Sequence, residues 1–235
     1  MKNAILMAAG MGTRMRPLTE KKPKPLVTVG GTPMIETVIE ALSAIQLDHI
    51  YIVVGYLGEQ FQYLEKKYGN ITILNNPDYE VFNNISSIYA AKEVLKKGNC
   101  YICEADLYIS NTDFLEKEPE QSGYFGKYVE GHSEDWVFDC NNEGYITRVG
   151  KKGDDCFNMV GVAYFKESEA KKLAEKIEET YRTPGFEQLF WDDVVNMNLS
   201  ELPLIVHPVN EESIVEIDTI EELKEVEKKI AVRGI

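Results

Sequence analysis

The chain alternates apolar runs typical of strands with segments whose apolar residues recur at helical spacing. In the first half, strands are predicted at 4–8, 49–54, 71–74 and 100–107. Helices are predicted between them at 33–45, 58–68 and 85–95. Strands that alternate with helices favour a mostly parallel sheet covered on both faces, so the pattern predicts a three-layer αβα architecture of the α/β class.

The middle of the chain changes to closely spaced strands, and Asn141-Asn142-Glu143-Gly144 is typical of a turn between two of them. These strands are predicted at 124–129, 136–139, 145–149 and 159–165. The remaining predicted elements are helices at 167–181, 186–197 and 220–230 and strands at 204–209 and 214–217. The sheet is therefore expected to be mixed, with a small antiparallel extension.

Charge and composition narrow the possible partners. The net charge of −14 argues against nucleic-acid binding, which depends on Lys and Arg. No apolar run is long enough for membrane insertion, and the segment after Met1 lacks signal-peptide features. Four cysteines are too few for a disulfide framework, so a cytoplasmic location is expected. Against this background, a cluster of cations indicates a small anionic ligand: Arg14, Arg16, Lys21, Lys22 and Lys24.

The same segment contains Gly10 and Gly12, but it fits neither common phosphate loop. A Walker loop needs Gly-Lys-Ser/Thr, and a dinucleotide fingerprint needs a third glycine where Met15 stands. The longer string, LMAAGMGTRMRPLT at 6–19 followed by PKPL at 23–26, resembles the signature of the nucleoside-diphosphate-sugar pyrophosphorylase-like nucleotidyltransferases. That resemblance implies a Rossmann-like nucleotidyltransferase fold and a nucleoside triphosphate substrate.

The residues of this loop suit such a substrate. Ala8, Ala9 and Gly10 let the backbone approach the nucleotide, and Gly12 permits unusual dihedral angles that expose amides to anions. Lys24 lies farther along, between two prolines. Its alternative interpretation, an ordinary surface lysine, is the commoner one outside such a motif.

Catalysis is expected to depend on positive charge. Arg14 can hold the leaving pyrophosphate through its planar fork, and Lys24 suits the α-phosphoryl group. Mg²⁺ is the expected cofactor, with Asp106 and Asp218 as its ligands, because magnesium commonly takes one or two protein carboxylates. In the resembled family, an acid after the fourth strand and another near the C-terminus share the metal. Asp218 could instead cap the last helix, and Thr219 could equally be that cap.

Most of the chain further resembles the bacterial CTP:phosphocholine cytidylyltransferases. The matching segments follow that family's order: VGYL at 54–57, EQF at 59–61, NN at 83–84 with SIY at 87–89, Trp136, FWD at 190–192 and EID at 216–218. The resemblance implies CMP transfer from CTP to phosphocholine, forming CDP-choline and pyrophosphate by direct attack of the phosphomonoester on the α-phosphate. It also implies that Tyr56, Asn84 and Ser87 hold the cytidine part.

Phosphocholine ends in a quaternary ammonium, which aromatic faces and a nearby carboxylate can bind. The acceptor side is therefore expected to comprise Trp136, Phe190, Trp191, Asp192 and Glu216. Any one of these aromatic residues could instead belong to the core. The resembled family can carry tyrosine at position 190, so this chain lacks one hydroxyl there.

Two other functions stay open at this point. A sugar-1-phosphate or phosphoethanolamine nucleotidylyltransferase would share the loop, Lys24 and both acids, and a catalytically silent nucleotide-binding subunit would share the scaffold. The chain is expected to be one nucleotidyltransferase domain, 1–235, with a nucleotide-binding half at about 1–110 and an acceptor-binding half at about 111–235. The pattern does not predict an oligomeric state.

Overall fold

A seven-stranded sheet organises the protein, and the computed structural model describes residues 1–116, 118–210 and 212–233. The strands are β1 (Lys2–Ala8), β2 (Thr28–Val29), β3 (Thr32–Pro33), β4 (His49–Val54), β5 (Ile71–Asn75), β6 (Asn99–Glu104), β7 (Leu107–Ile109), β8 (Gly123–Cys140), β9 (Ile146–Phe165), β10 (Ile205–Pro208) and β11 (Ile214–Glu216). The α-helices are α1 (Met34–Ala44), α2 (Tyr63–Tyr68), α3 (Ile85–Ala90), α4 (Lys92–Leu95), α5 (Glu167–Tyr181), α6 (Trp191–Met197) and α7 (Ile220–Arg233). Among the helices of the described ranges, none combines the length and apolar character needed to cross a membrane.

The large sheet has the order β10-β8-β9-β6-β1-β4-β5. Strands β6, β1, β4 and β5 run parallel, while β9 is antiparallel to β6 and to β8. Two small antiparallel pairs, β7 with β11 and β2 with β3, lie outside it. This arrangement confirms the predicted α/β fold with a mostly parallel mixed sheet and an antiparallel extension.

The alternation of side chains along the central strand creates the layers. Leu6 of β1 packs into one buried cluster with Ile35 of α1, whereas the neighbouring Ile5 packs into a second cluster with Ile88 of α3 and Leu173 of α5. Successive strand residues point to opposite faces, so one apolar run supplies both cores. Helices therefore cover both faces of the sheet.

Strand β6 ends earlier than the sequence predicts, and this difference shapes the site. The predicted strand 100–107 stops at Glu104, and Leu107 to Ile109 pair instead with β11. The backbone N–H of Ile217 donates to the carbonyl of Asp106 at 3.2 Å, which fixes the break. The chain thus leaves the central sheet at the position where the acidic residues begin.

Four other predicted segments differ in detail. Of the predicted helix 58–68, only Tyr63–Tyr68 is α-helical, and a 3-10 turn, Gly58–Phe61, precedes it. The four short strands of the middle are two long strands, β8 and β9, whose register shifts several times along their length. The predicted helix 85–95 is divided into α3 and α4 at Ala91. In the segment 186–197, α6 begins only at Trp191, because the Asp193 carboxylate accepts a hydrogen bond from the N–H of Phe190 at 2.8 Å.

Glu36 of α1 ties that helix to α2. Its side chain is buried and accepts hydrogen bonds from the hydroxyls of Tyr63 at 2.7 Å and Tyr68 at 2.9 Å, and it forms an ion pair with Lys67. Burial works against its charge, but these three donors outweigh that effect and lower the pKa of Glu36 below its usual value.

Replacing Glu36 with Ala should lower the free energy of unfolding by about 3 kcal/mol, because it leaves two hydroxyls and an ammonium without their acceptor. Urea denaturation measures this loss. Glu40→Ala removes an exposed carboxylate one turn later on the same helix and is the control. Equal effects of the two substitutions would contradict the role assigned to Glu36.

Candidate active site

A cavity of about 440 Å³ opens beyond the carboxyl ends of the parallel strands. Such an edge is the usual ligand site of open α/β sheets. The loop after β1 lines it with Ala8, Ala9, Gly10 and Gly12. The other sequence-predicted residues that line it are Arg14, Lys24, Asn84, Ser87, Asp106 and Asp218. The fold therefore brings the predicted phosphate loop and both predicted metal ligands to one place.

The conformation of the loop depends on Gly12. Its φ of +59° is in the left-handed region, and a Cβ at this position would lie 2.7 Å from the Cβ of Lys24. The hydroxyl of Thr19 donates to the carbonyl of Gly12 at 2.7 Å. Glycine is thus required here both for the backbone angle and for the close approach of Lys24.

Tyr56 supports the loop from outside the cavity. Its N–H donates to the carbonyl of Ala9 at 3.1 Å, and its hydroxyl reaches the carbonyls of Thr19 at 3.0 Å and Glu20 at 2.9 Å. Among the described residues, Tyr56 is not part of the cavity lining. These hydrogen bonds stabilise the backbone conformation of the phosphate loop.

Lys24 is the centre of the charged contacts. The side chain is buried, and its Nζ lies 2.5 Å from Oδ2 of Asp106 and 2.5 Å from Oδ1 of Asp218. Arg14 donates to the same Asp218 oxygen at 2.7 Å, although its own side chain is largely exposed. Burial alone lowers the pKa of Lys24, but the two carboxylates outweigh burial and raise the pKa above its usual value. Lys24 is therefore charged although it is buried, whereas an ordinary surface lysine keeps its charge by exposure to water.

Glu216 joins Asp106 and Asp218, and one carboxylate oxygen from each lies within 4.8 Å of the others. Burial first, and then the charges of Asp106 and Asp218, raises the pKa of Glu216 to about 8. Oδ1 of Asp106 is buried and has no hydrogen-bond partner. Three close carboxylates with an unsatisfied oxygen fit a hard divalent cation such as Mg²⁺.

The side chain of Asp218 is available for this group because Thr219 caps the last helix. The hydroxyl of Thr219 accepts the N–H of Glu222 at 3.2 Å, and the Glu222 carboxylate accepts the N–H groups of Asp218 at 2.7 Å and Thr219 at 2.8 Å. This reciprocal pattern is a capping box. Of the two alternatives left open by the sequence, Thr219 is the cap.

Glu104 is a cavity residue to which sequence reasoning assigned no role. It is the last residue of β6, and its carboxyl lines the cavity beside Asp106. Burial, followed by the charges of Asp106, Glu216 and Asp192, raises its pKa well above the usual value. The signal in the sequence was its position two residues before Asp106, at the end of an apolar strand.

Asn84 and Ser87 also line the cavity, at the start of α3. Oδ1 of Asn84 accepts the N–H of Trp191 at 3.0 Å, which connects this turn to α6. The buried amide of Asn76 donates to the hydroxyls of Ser86 at 2.9 Å and Ser87 at 3.2 Å. Asn76 therefore positions Ser87, and nothing in the local sequence pattern indicated it.

Two of the aromatic residues predicted for the acceptor form a pair. The rings of Trp136 and Phe190 meet edge to face with centroids 5.5 Å apart, and both are partly exposed. Nζ of Lys151 lies 5.7 Å from each ring centroid, within the range of cation–π contacts. A cation of the chain itself therefore already lies against this aromatic pair.

Trp191 and Asp192 are the first two residues of α6, and both side chains lie in the core. Trp191 is 3% exposed and stacks on Tyr124 with centroids 5.5 Å apart. Asp192 is also buried and accepts the Tyr124 hydroxyl at 3.0 Å, while burial raises its pKa to about 7. The structure thus does not place Trp191 beside Trp136 and Phe190 as an open aromatic face.

Comparison with known proteins shows the family of the chain. Residues 4–132 match the family described as the MobA-like NTP transferase domain. The chain is 52% identical to 2-aminoethylphosphonate cytidylyltransferase of Lancefieldella rimae, over 94% of this chain and 90% of that protein. It is 35% identical to choline-phosphate cytidylyltransferase of Streptococcus pneumoniae, over 96% of each chain.

Among solved structures, CTP:phosphocholine cytidylyltransferase from S. pneumoniae superimposes with a TM-score of 0.90 at 34% identity, covering 97% of this chain and 99% of that one. The inositol-1-phosphate CTP transferase from T. maritima has a TM-score of 0.78 at 18% identity, with 98% of this chain and 96% of that one covered, and shares the fold. The chain belongs to the MobA-like NTP transferase family and is a cytidylyltransferase.

Proposed function

We propose that the protein transfers CMP from CTP to a small phosphonate or phosphate that carries a primary amine, and that 2-aminoethylphosphonate is its preferred acceptor. The observation that carries this proposal is the chemistry of the cavity wall. Glu104, Asp106 and Asp218 line the cavity, and none of the described lining residues is aromatic. A primary ammonium donates hydrogen bonds, and carboxylates are its natural acceptors.

The aromatic residues support the same choice. A quaternary ammonium cannot donate ordinary hydrogen bonds and depends on exposed ring faces. Trp191 is buried against Tyr124, and the remaining pair, Trp136 and Phe190, is in contact with Lys151. The relative with 52% identity is named for an acceptor with a primary amine, which agrees with this interpretation.

Phosphocholine is the second candidate acceptor. The exposed pair of Trp136 and Phe190 is the specific feature that favours it, since displacement of Lys151 would free both rings for a trimethylammonium group. The choline-phosphate cytidylyltransferase of S. pneumoniae matches almost the whole chain at lower identity. Asp192 and Glu216 would then be the carboxylates that add negative charge on the acceptor side.

On the nucleotide side, the loop formed by Ala8, Ala9, Gly10 and Gly12 lies against the triphosphate, and its N–H groups contact the phosphate oxygens. Asn84 and Ser87 face the cytidine, where an amide and a hydroxyl provide the donors and acceptors that a pyrimidine edge requires.

The chemistry is one displacement at the α-phosphorus of CTP. A phosphonate oxygen of the acceptor forms the new bond to phosphorus, the bond to the bridging β-oxygen breaks, and pyrophosphate leaves with the electron pair. The attacking oxygen is already negatively charged near neutral pH, so no general base is required. The contribution of the protein is alignment and charge: Lys24 stabilises the α-phosphoryl group, and Arg14 holds the pyrophosphate.

Mg²⁺ is the proposed cofactor, with Asp106 and Asp218 as ligands and Glu216 as a third carboxylate within reach. When bound, it supplies the positive charge that neutralises the phosphate oxygens. The buried oxygen of Asp106 that lacks a partner and the raised pKa of Glu216 support this assignment. With Asp106 and Asp218 engaged in this way, Lys24 would be free to approach the α-phosphate.

The proposal is tested by the rate of pyrophosphate release with CTP and Mg²⁺ against 2-aminoethylphosphonate, phosphoethanolamine, phosphocholine and glucose 1-phosphate. The highest kcat/KM is expected for 2-aminoethylphosphonate, with phosphoethanolamine next and no activity on the sugar phosphate. A clear preference for phosphocholine would instead support the second candidate. Activity on sugar phosphates alone would exclude amine acceptors altogether.

Lys24→Ala should reduce kcat by roughly a thousandfold, because it removes the charge that stabilises the transition state at the α-phosphorus. Steady-state kinetics with saturating CTP measures this effect. Lys22→Ala, an exposed lysine of the same basic segment, is the matched control and should leave kcat unchanged. A wild-type kcat in the Lys24 variant would contradict the catalytic role of this residue and leave it only a role in packing.

Lys151→Gln should raise the kcat/KM for phosphocholine relative to that for 2-aminoethylphosphonate by about tenfold, because it removes the ammonium that lies against Trp136 and Phe190. The control is Lys152→Gln, an exposed neighbour whose contact is an ion pair with Glu134. The assignment fails if the two variants have the same acceptor preference as the wild type.

A further inference from the structure

Glu104 is the carboxylate of the cavity that has no partner. Its side chain lines the cavity, yet within residues 1–116, 118–210 and 212–233 it accepts no hydrogen bond and forms no ion pair. A carboxylate withdrawn from water without a cation or donors is unfavourable, and such groups are normally paired. A cation bound next to Glu104 would favour its charged form, and no side chain of the described residues pairs with it.

The cations and the metal ligands nearby are already committed. Lys24 pairs with Asp106 and Asp218, and Arg14 pairs with Asp218. Glu104 is outside the group of three carboxylates whose oxygens lie within 4.8 Å of one another. Its carboxyl is thus not among the ligands proposed for a divalent cation and is available to another group.

Glu104 also packs against β9, a strand from the second half of the chain. Gly161 of β9 packs against it, and a Cβ at Gly161, whose φ is +74°, would lie 3.1 Å from Cγ of Glu104. Asp192 and Glu216 are near enough for their charges to act on its carboxyl. The nucleotide-facing Asn84 and Ser87 instead come from α3, in the first half.

We infer that Glu104 binds the ammonium group of the acceptor and is the residue that selects an amine-bearing phosphonate over one without an amine. This inference rests on the proposed function and identifies the side chain that recognises the ammonium group of the acceptor. The carboxylate of Asp192 accepts a hydrogen bond from the Tyr124 hydroxyl, and its charge acts on the carboxyl of Glu104. The acceptor ammonium would then pair with Glu104. The other carboxylates, Asp106, Asp218 and Glu216, would be neutralised by Lys24 and the proposed cation.

The test compares two acceptors that differ only in the amine, 2-aminoethylphosphonate and ethylphosphonate, with the wild type and Glu104→Gln. The wild type should strongly prefer the amine. In Glu104→Gln, kcat/KM for 2-aminoethylphosphonate should fall roughly a hundredfold, because the charge that pairs with the ammonium is gone. The value for ethylphosphonate and the KM for CTP should change little.

Two further variants separate recognition from folding. Glu104→Asp keeps the charge on a shorter side chain and should restore part of the preference for the amine. Glu93→Gln removes a carboxylate from α4, where it pairs with Lys96 away from the cavity, and should behave as the wild type. Thermal unfolding of each variant with and without CTP verifies that the nucleotide site is intact.

The outcomes distinguish this inference from the proposal on which it rests. A wild type that prefers the amine, together with a Glu104→Gln variant that keeps the same preference, overturns the role of Glu104 alone. Equal losses on both phosphonates in that variant also overturn it, because they indicate action on CTP, on the metal or on packing. Equal use of both phosphonates by the wild type contradicts amine recognition itself, and with it the proposed function.

Discussion

The ion pairs of Lys24 with Asp106 and Asp218 are the interaction on which the rest of the site depends. They join three segments that are remote in sequence: the loop after β1, the turn after β6 and the residue pair that follows β11. Buried ion pairs carry a large desolvation cost and persist where both partners are well placed. In this protein the arrangement collects, at one edge of the sheet, the charges that nucleotidyl transfer requires.

The fold explains why these charges can meet. The parallel strands β1 and β6 are neighbours, so the residues that follow them leave the sheet side by side. The early end of β6 then sends Leu107 to Ile109 toward β11, which brings Glu216 and Asp218 to Asp106. A two-stranded pair outside the main sheet thus determines which carboxylates lie together. Gly12 completes the arrangement, because only a residue without a side chain lets Lys24 approach the loop.

The sequence predicted the part of the site that is encoded locally. A loop with a specific string, and acids that follow directly after apolar strands, led to Lys24, Asp106 and Asp218 before any contact between them was known. Helix capping was ambiguous between Asp218 and Thr219, since both precede a helix and only the observed hydrogen bonds distinguish them. The layers of the sheet were also predictable, because the alternation of apolar strands with segments of helical spacing is visible in the residues themselves.

Features decided by tertiary packing were not predictable in this way. The aromatic residues Trp136 and Trp191 have similar polar neighbours in sequence, yet one is partly exposed and the other stacks on Tyr124 in the core. In the sequence, Glu104 is an ordinary residue at the end of a strand. Only the fold brings the charges of Asp106, Asp192 and Glu216 near it. Asn76 acts through Ser87, a contact between residues whose local patterns are unrelated.

We propose that, at this charged edge, an oxygen of an amine-bearing phosphonate forms a new bond to the α-phosphorus of CTP. ³¹P NMR of the protein with CTP, Mg²⁺ and 2-aminoethylphosphonate tests it directly, because the product contains a phosphonate and a phosphate joined through one oxygen. The account predicts two mutually coupled resonances from that linkage and an equal amount of free pyrophosphate. Unchanged CTP, or hydrolysis to CMP with the phosphonate signal unaltered, would contradict it.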